Sequence, residues 1–272
     1  MNRVGEHPIP NGPLATRWLA SKLEAQRAGV TTTACVALEN AGTATWRSLG
    51  TDGIQLSFHW LDTLDNPIVW DGPRTPLPRP VAPGEHVEME LTVTAPRPPG
   101  AYRIAFDLVE EHRFWFEEVG CTPLAIDVEV APRISARRLG VRIHGGADAG
   151  TIAALAAQNE AIVESGAVAV AHLVAGALPQ PGWSTVVLDA HAEGWQAVGT
   201  AISPSGRDRE LGPWNVDGGR NPRFTHPLLL PSLLDDLEPS THLGLPAYAG
   251  PDALFDARTS ITLPPRSDRR RR

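Results

Sequence analysis

NAGTATW, from Asn40 to Trp46, closes one predicted strand, and PGAYRIAFDL, from Pro99 to Leu108, opens another. Between them, APGEHVEMELTVTAP, from Ala82 to Pro96, contains a third. Each stretch joins Gly, Pro or Asn turn residues to a run in which apolar and polar side chains alternate. This pattern is typical of antiparallel strands that have one buried face.

The same period of two continues on both sides of these stretches. Ile54, Leu56, Phe58 and Trp60 are expected on the buried face of one strand, and Gln55, Ser57 and His59 on its solvated face. With 30–39, 68–72, 114–116 and 124–130, about seven strands follow one another at the spacing of a β-sandwich. The sequence therefore predicts an all-β sandwich over residues 28–131, after an N-terminal extension of residues 1–27.

The order of these motifs resembles the tryptophan-containing Ig-like domain of selective-autophagy receptors, which has many bacterial relatives. SFHWLD (57–62), DGPRTPLP (71–78) and DLVEEHRFWF (107–116) are similar to accessory domains of bacterial surface-glycan glycosyltransferases and methyltransferases. The resemblance implies a non-catalytic domain and names no ligand. It suggests a role in surface-glycan assembly, with a glycan or a glycan-assembly enzyme as partner.

Tryptophans are the candidate ligand-binding residues of this domain. Strand parity assigns Trp60 to the core, and the position of Trp46 beside the turn predicts that it closes one end of the sandwich. The parity of FWF leaves Trp115 free to point outward. An aromatic platform with polar neighbours is what a sugar site requires, and packing between domains would explain the same residues. The predicted site consists of Trp70, Asp71, Arg74, Glu111 and Trp115.

After the linker 132–138 the hydrophobic period changes from two to nearly 3.6. The predicted order is a strand in LGVRI, a helix from Ala149 to Ser165, a strand in AVAVAHLV and a helix from Trp183 to Gly194. Alternating strands and helices predict a small parallel α/β domain over residues 139–264. The overall expectation is a two-domain chain, an N-terminal all-β Ig-like sandwich and a C-terminal α/β domain.

The second domain resembles the nucleotide-sugar-binding fold of family-two glycosyltransferases. The similarity lies in ALAAQ (Ala154 to Gln158), in Pro181-Gly182-Trp183 and in AVG (197–199). Such enzymes need carboxylates before the PGW motif to hold a metal ion, and the strand ending AHLVAG has none, which indicates a degenerate domain. His172, Arg220 and Asn221 are its candidate contacts for an anion or a sugar nucleotide. A divergent glycosyltransferase is accordingly the alternative function.

Other catalytic motifs are missing from the sequence. It contains no GxSxG nucleophile elbow, no GxGxxG and no P-loop, so no catalytic residue and no cofactor are assigned. His112, Glu117, Glu118 and Cys121 have ligand-type side chains, but their spacing matches no zinc pattern. No metal site is predicted.

Composition limits the partners and the compartment. The formal charge is −7, and basic residues concentrate in the terminal RSDRRRR, so no specific nucleic-acid partner is expected. Residues 265–272 are predicted to be a disordered Arg-rich tail that could touch an anionic membrane. No secretory signal and no membrane-spanning run are present, which predicts a cytoplasmic location. Cys35 and Cys121 could pair across the sandwich or remain free.

Overall fold

The computed structural model describes residues 1–5, 8–204 and 227–263, and it confirms a β-rich fold with several sheets. The chain divides into two compact units, one ending at Ala131 and the other beginning at Pro132. Each unit has its own hydrophobic core.

The first unit contains eleven described strands, all paired in antiparallel fashion within two sheets. In chain order the strands are β1 (Asn2–Arg3), β2 (Thr16–Leu23), β3 (Thr31–Asn40), β4 (Ser48–Leu49), β5 (Asp52–Leu61), β6 (Pro67–Val69), β7 (Thr75–Pro76), β8 (His86–Thr94), β9 (Gly100–Glu110), β10 (Phe114–Trp115) and β11 (Leu124–Val130). A short 3₁₀ helix, Phe116–Val119, follows β10. One sheet has the order β1-β2-β3-β8, and the other is built around the β5–β9 pair.

The predicted alternation holds in β8, where every second side chain is buried. It does not hold for exposure in β5, because the polar row Gln55, Ser57 and His59 is as buried as the apolar row facing the core. The prediction that this row is solvated was therefore wrong. Both faces of β5 are covered, one by the sandwich core and the other by chain that folds back over the sheet.

Residues 1–27, expected as an extension, contribute strands β1 and β2. Strand β2 lies between β1 and β3, and Trp18 from this strand is part of the sandwich core. Its indole Nε1 donates a hydrogen bond to the carbonyl of Thr122, 2.9 Å away. The first unit thus begins near the start of the chain, ahead of the predicted boundary at residue 28.

The NAG turn is held by the side chain of Asn40, which is fully buried. Its Nδ2 donates to the carbonyls of Ala44 and Val81, each at 2.8 Å, and its Oδ1 accepts from the Gly42 N–H at 3.0 Å. Trp46 bridges to Val81 through the backbone and is itself buried. The predicted core positions of Trp46 and Trp60 are confirmed.

The cysteines lie on opposite sides of the β1-β2-β3-β8 sheet. Ala34 and Val36 of β3 face the core, so Cys35 between them points the other way. Cys121 is buried within the same core. Both thiols are free, and the alternative of a disulfide is not realised.

The second unit has ten described strands and two helices. The strands are β12 (Arg138–His144), β13 (Ala161–Val163), β14 (Ala169–Val174), β15 (Leu178–Pro179), β16 (Ala197–Pro204), β17 (Leu228–Leu229), β18 (Ser232–Leu234), β19 (Ser240–His242), β20 (Leu245–Tyr248) and β21 (Ala253–Leu263). The helices are α1 (Ala149–Ala156) and α2 (Trp183–Ala192).

The main sheet of this unit has the order β13-β12-β14-β18-β16-β21-β15 and is mixed rather than wholly parallel. Strands β12, β13 and β14 run parallel, as do β16 and β21, whereas β18 is antiparallel to both of its neighbours. Helix α1 is capped by Asp148, whose side chain accepts from the N–H groups of Gly150 and Thr151, and it is about half the predicted length. Across the described ranges, no helix is long and apolar enough to cross a bilayer.

Candidate functional site

The outer face of the β5–β9 sheet carries an aromatic cluster of His59, Trp70 and Trp115. The His59 and Trp70 rings are stacked, with centroids 4.1 Å apart and planes inclined by 22°. Trp115 meets His59 edge to face at 4.3 Å. His59 and Trp115 are buried, but Trp70 remains 46% exposed. The cluster therefore supports one indole from below and leaves much of it open to solvent.

His59 is held in one tautomer by its backbone contact. Its Nδ1 hydrogen-bonds the carbonyl oxygen of Trp70, and because a carbonyl only accepts, Nδ1 must carry the hydrogen. Burial lowers the pKa of His59 below its ordinary value. The ring is thus neutral at physiological pH. Its Nε2 is buried and has no hydrogen-bond partner within the described part of the chain.

Arg74 joins the aromatic cluster to two carboxylates. Its guanidinium carbon lies 4.7 Å from the centre of the Trp115 ring, a cation–π contact. Its Nη2 lies 3.0 Å from Oδ1 of Asp71, and its Nε donates to Oε1 of Glu111. All five residues predicted from the sequence are therefore brought together on this face, although Trp115 is covered by Arg74 rather than open.

Beneath Arg74, the polar row of β5 ties the covering chain to the sheet. Nη1 of Arg74 donates to Oγ of Ser57 at 3.2 Å and to the carbonyl of Gly72 at 3.0 Å. Ser57 in turn donates to the same carbonyl at 2.8 Å. The Gly72 N–H donates to the carbonyl of Phe58, and a Cβ at position 72 would lie 2.6 Å from that oxygen. Only glycine allows this close approach.

Asp107 is a buried carboxyl on β9, directly opposite Ser57 in the register. Its Oδ2 accepts a hydrogen bond from the N–H of Glu117, 3.1 Å away, in the 3₁₀ helix that follows Trp115. Its Oδ1 accepts from the N–H of Leu108 at 2.8 Å. Burial nevertheless raises the pKa of Asp107 to about 7. Asp107 thereby anchors the segment that carries Trp115.

Sequence reasoning missed His59, Ser57 and Asp107. Their alternation with apolar neighbours predicted solvated positions, and only the covering segments 67–76 and 111–119 make them part of a site. One signal was available in the sequence. The Asp71-Gly72 pair and the adjacent prolines predicted chain that leaves the sheet directly beside the strand that carries His59.

In the second unit, His172 pairs with His144 rather than with a loop. Nε2 of His144 lies 3.1 Å from Nδ1 of His172, and the rings are tilted by 30°. Burial, with help from the neighbouring His144, lowers the pKa of His172 to about 4. Arg220 and Asn221, its predicted companions, lie outside the described residues. In the described ranges no three His, Cys, Asp or Glu side chains form a group able to hold a metal ion.

No protein-family model matches the chain, and no curated protein sequence matches it. Among solved structures, the C-terminal domain of Wzt is similar over 46% of this chain and 77% of that one, at 9% identity and a TM-score of 0.33. A beta-glucosidase from Listeria innocua in complex with glucose matches 42% of this chain and 15% of its own, at 12% identity and a TM-score of 0.27. A family 123 glycoside hydrolase from Clostridium perfringens matches 66% and 32%, at 8% identity and a TM-score of 0.25. Scores this low assign no function.

Proposed function

We propose that the chain is a non-enzymatic accessory protein of bacterial surface-glycan assembly that binds a glycan on the outer face of its first unit. The observation that carries the proposal is the Trp70 indole, stacked on buried His59 and open to solvent. A sugar ring presents an apolar face that can stack on an indole, and hydroxyl groups that need donors and acceptors around it.

The surroundings of Trp70 supply those groups. Arg74 offers guanidinium N–H donors, and Asp71 and Glu111 offer carboxylate acceptors. Their mutual ion pairs fix the orientation of these side chains before a ligand arrives, which reduces the ordering cost of binding. The buried partners His59 and Trp115 stiffen the platform in the same way. Such a preorganised mixture of one aromatic face and a few fixed polar groups is typical of small-ligand sites.

The test is a glycan array probed with the wild-type protein and with Trp70→Ala. Loss of a central aromatic contact should weaken binding at least about tenfold for every glycan that the wild type retains. Leu49→Ala is the matched control, because Leu49 is also a large exposed apolar side chain, at the β4–β5 turn. If the wild type retains no glycan, or if Trp70→Ala binds as well as the control, the proposal fails.

Fluorescence gives a second measurement of the same site. Trp70 is the most exposed tryptophan of the first unit, so a ligand that covers it should shift or quench the protein emission. The change should be absent from Trp70→Ala and present in Leu49→Ala.

The glycosyltransferase alternative has no comparable observation. Its PGW motif places Trp183 at the start of α2, where the indole is buried in the core of the second unit and cannot meet a nucleotide. Packing explains this motif. Binding detected by calorimetry with sugar nucleotides and Mn²⁺ would support the glycosyltransferase alternative.

A further inference from the structure

An open groove of about 380 Å³ lies on the first unit at the β9–β11 pair and is lined in part by Thr63, Arg103, Asp127 and Glu129. The groove is not needed to explain the arrangement of the Trp70 site. Its volume falls in the range of small-ligand sites, about 300 to 1,000 Å³. A guanidinium and two carboxylates face the groove, next to apolar lining from Ala101 and Val128.

The groove lies on the same face of the sheet as the Trp70 site. In β9, Ala105 is paired with His59, and Arg103 is paired with Leu61. Residues two apart in a strand share a face and are separated by about 7 Å. Ala105 is the β9 residue between the two places on this face, and its side chain is buried.

One hairpin contributes to both places. Its turn is fixed by Asp62, whose Oδ1 accepts from the N–H groups of Leu64 and Asn66 at 2.8 and 2.9 Å. The turn places Thr63 at the groove and brings Asp65 within 2.6 Å of Nη1 of Arg103. The strand that leaves the turn ends directly before Trp70. A single hairpin therefore contributes to the groove and leads directly into the aromatic platform.

Arg103 in the groove repeats the chemistry of Arg74. Its Nε lies 2.8 Å from Oδ1 of Asp127, so this guanidinium is also shared between two carboxylates. Acidic groups outnumber basic ones along the combined surface. Five carboxylates and two guanidinium groups line it, namely Asp65, Asp71, Glu111, Asp127 and Glu129 with Arg74 and Arg103.

We infer that the two places form one extended site for an uncharged oligosaccharide, with one sugar on Trp70 and the following sugars in the Arg103 groove. This inference rests on the proposed glycan-binding function. The excess of carboxylates repels an anionic glycan. Sugar hydroxyl groups can both donate and accept, so carboxylates can accept their hydrogen bonds and guanidinium groups can donate to them.

The experiment uses an array of uncharged oligosaccharides graded from mono- to hexasaccharide, together with anionic glycans, and measures apparent affinity against length. Longer members should bind the wild type about tenfold more tightly than the shortest ones, as expected for added charge-assisted hydrogen bonds. Ala101→Tyr fills the groove from an exposed position in β9 and should remove the gain with length while leaving the affinity for the shortest ligands unchanged.

Arg103→Gln provides an independent variant, because exposed ion pairs contribute little to folding and the protein should remain intact. It should reduce the gain with length in the same direction. Arg17→Gln is the matched control, since Arg17 is paired across strands with Glu39 at 3.0 Å on the other sheet. Thermal unfolding of each variant checks that the fold is retained.

The outcomes separate the two proposals. If affinity does not rise with length while Trp70→Ala still abolishes binding, the groove is not part of the site and the Trp70 proposal stands. A stronger response to anionic glycans would overturn the assignment of an uncharged ligand. If the wild type binds no member of the array, the glycan-binding function itself fails.

Discussion

Replacing Asp107 with Asn should stabilise the protein above neutral pH. Asp107 is buried beneath the 3₁₀ helix that follows Trp115, and burial raises its pKa from 3.8 to about 7. A carboxyl that binds its proton more tightly in the folded state makes folding less favourable as pH rises. The Asn side chain has no charge to bury and keeps one oxygen for the Glu117 N–H.

The size of the effect follows from the two pKa values. Since one pKa unit corresponds to about 1.4 kcal/mol, the ionised Asp107 costs about 4 kcal/mol of unfolding free energy above pH 7. From about pH 5 to about pH 8, the wild type should lose about 2.5 kcal/mol that Asp107→Asn retains. Loss of the second acceptor oxygen, which serves Leu108, subtracts about 1 kcal/mol at every pH.

The assay is urea unfolding of both proteins across this pH range, followed by tryptophan emission, since five of the eight tryptophans belong to the first unit. The difference between the two proteins isolates Asp107, because all other titrating groups are common to them. Asp127→Asn is the control, as this exposed carboxylate has no burial cost to relieve. A difference that stays constant with pH would show that the backbone donors at Asp107 outweigh its burial, and the reasoning would be refuted.

Three further substitutions test the two units, two of them in the first unit and one in the second. Asn40→Ala removes three hydrogen bonds of the NAG turn, two of them buried, and should lower the unfolding free energy by about 3 kcal/mol, measured by urea unfolding. Gly72→Ala puts a methyl group against a backbone oxygen, so we expect about 2 kcal/mol of destabilisation and weaker glycan binding. Gly84→Ala is the control: a Cβ at position 84 meets no atom within 4 Å, so the substitution should not affect binding although the φ of Gly84 is positive. His191 is buried as a neutral ring with a pKa lowered from 6.5 to about 4, so the second unit should lose about 3 kcal/mol as pH falls through this window, and His191→Gln should not.

The alternation of apolar side chains was sufficient to predict strands β3, β5, β8, β9 and β11 of the sandwich. Buried Val, Leu and Phe residues at every second position give the same strands in the structure, with bounds within a few residues. Strand β2 was missed because its sequence, TRWLASKL, mixes charged and apolar residues without a strict period. Its place in the sheet is decided by pairing with β3, the next strand along the chain, and not by a periodic pattern of its own.

In the second unit, helix periodicity was overextended. The apolar residues Ile162 and Val163, which continued the predicted stripe of the first helix, belong instead to strand β13, paired in parallel with β12. A short apolar run fits a helix and a strand equally well, and here tertiary pairing decided between them. The antiparallel strand β18 at the centre of the sheet comes from the leucine run 228–234, which contains no strand alternation.

The candidate site was partly predictable for a different reason. Trp70, Asp71, Arg74, Glu111 and Trp115 were chosen by residue type, because an aromatic platform with polar neighbours is what a sugar site requires. The sequence could not indicate that this site also includes the buried side chains of Ser57, His59 and Asp107. Burying a polar row is unfavourable unless each group is hydrogen-bonded, and the covering segments supply those bonds through Arg74 and backbone carbonyls and N–H groups.

The buried polar row therefore links stability to the site. A sandwich needs only one apolar face on each sheet, so nothing in the core requires the outer face of β5 and β9 to be covered. The segments that cover this face hold Trp70, Arg74 and Trp115 in place. They also bury the ionisable carboxyl of Asp107, which is unfavourable for folding when that carboxyl is charged. If the cluster served only to shield the sheet, neither Asp107→Asn nor Asp107→Ala would change glycan binding. Because the same carboxyl anchors the segment that carries Trp115, we expect Asp107→Ala, which lacks both oxygens, to weaken glycan binding while Asp107→Asn preserves it.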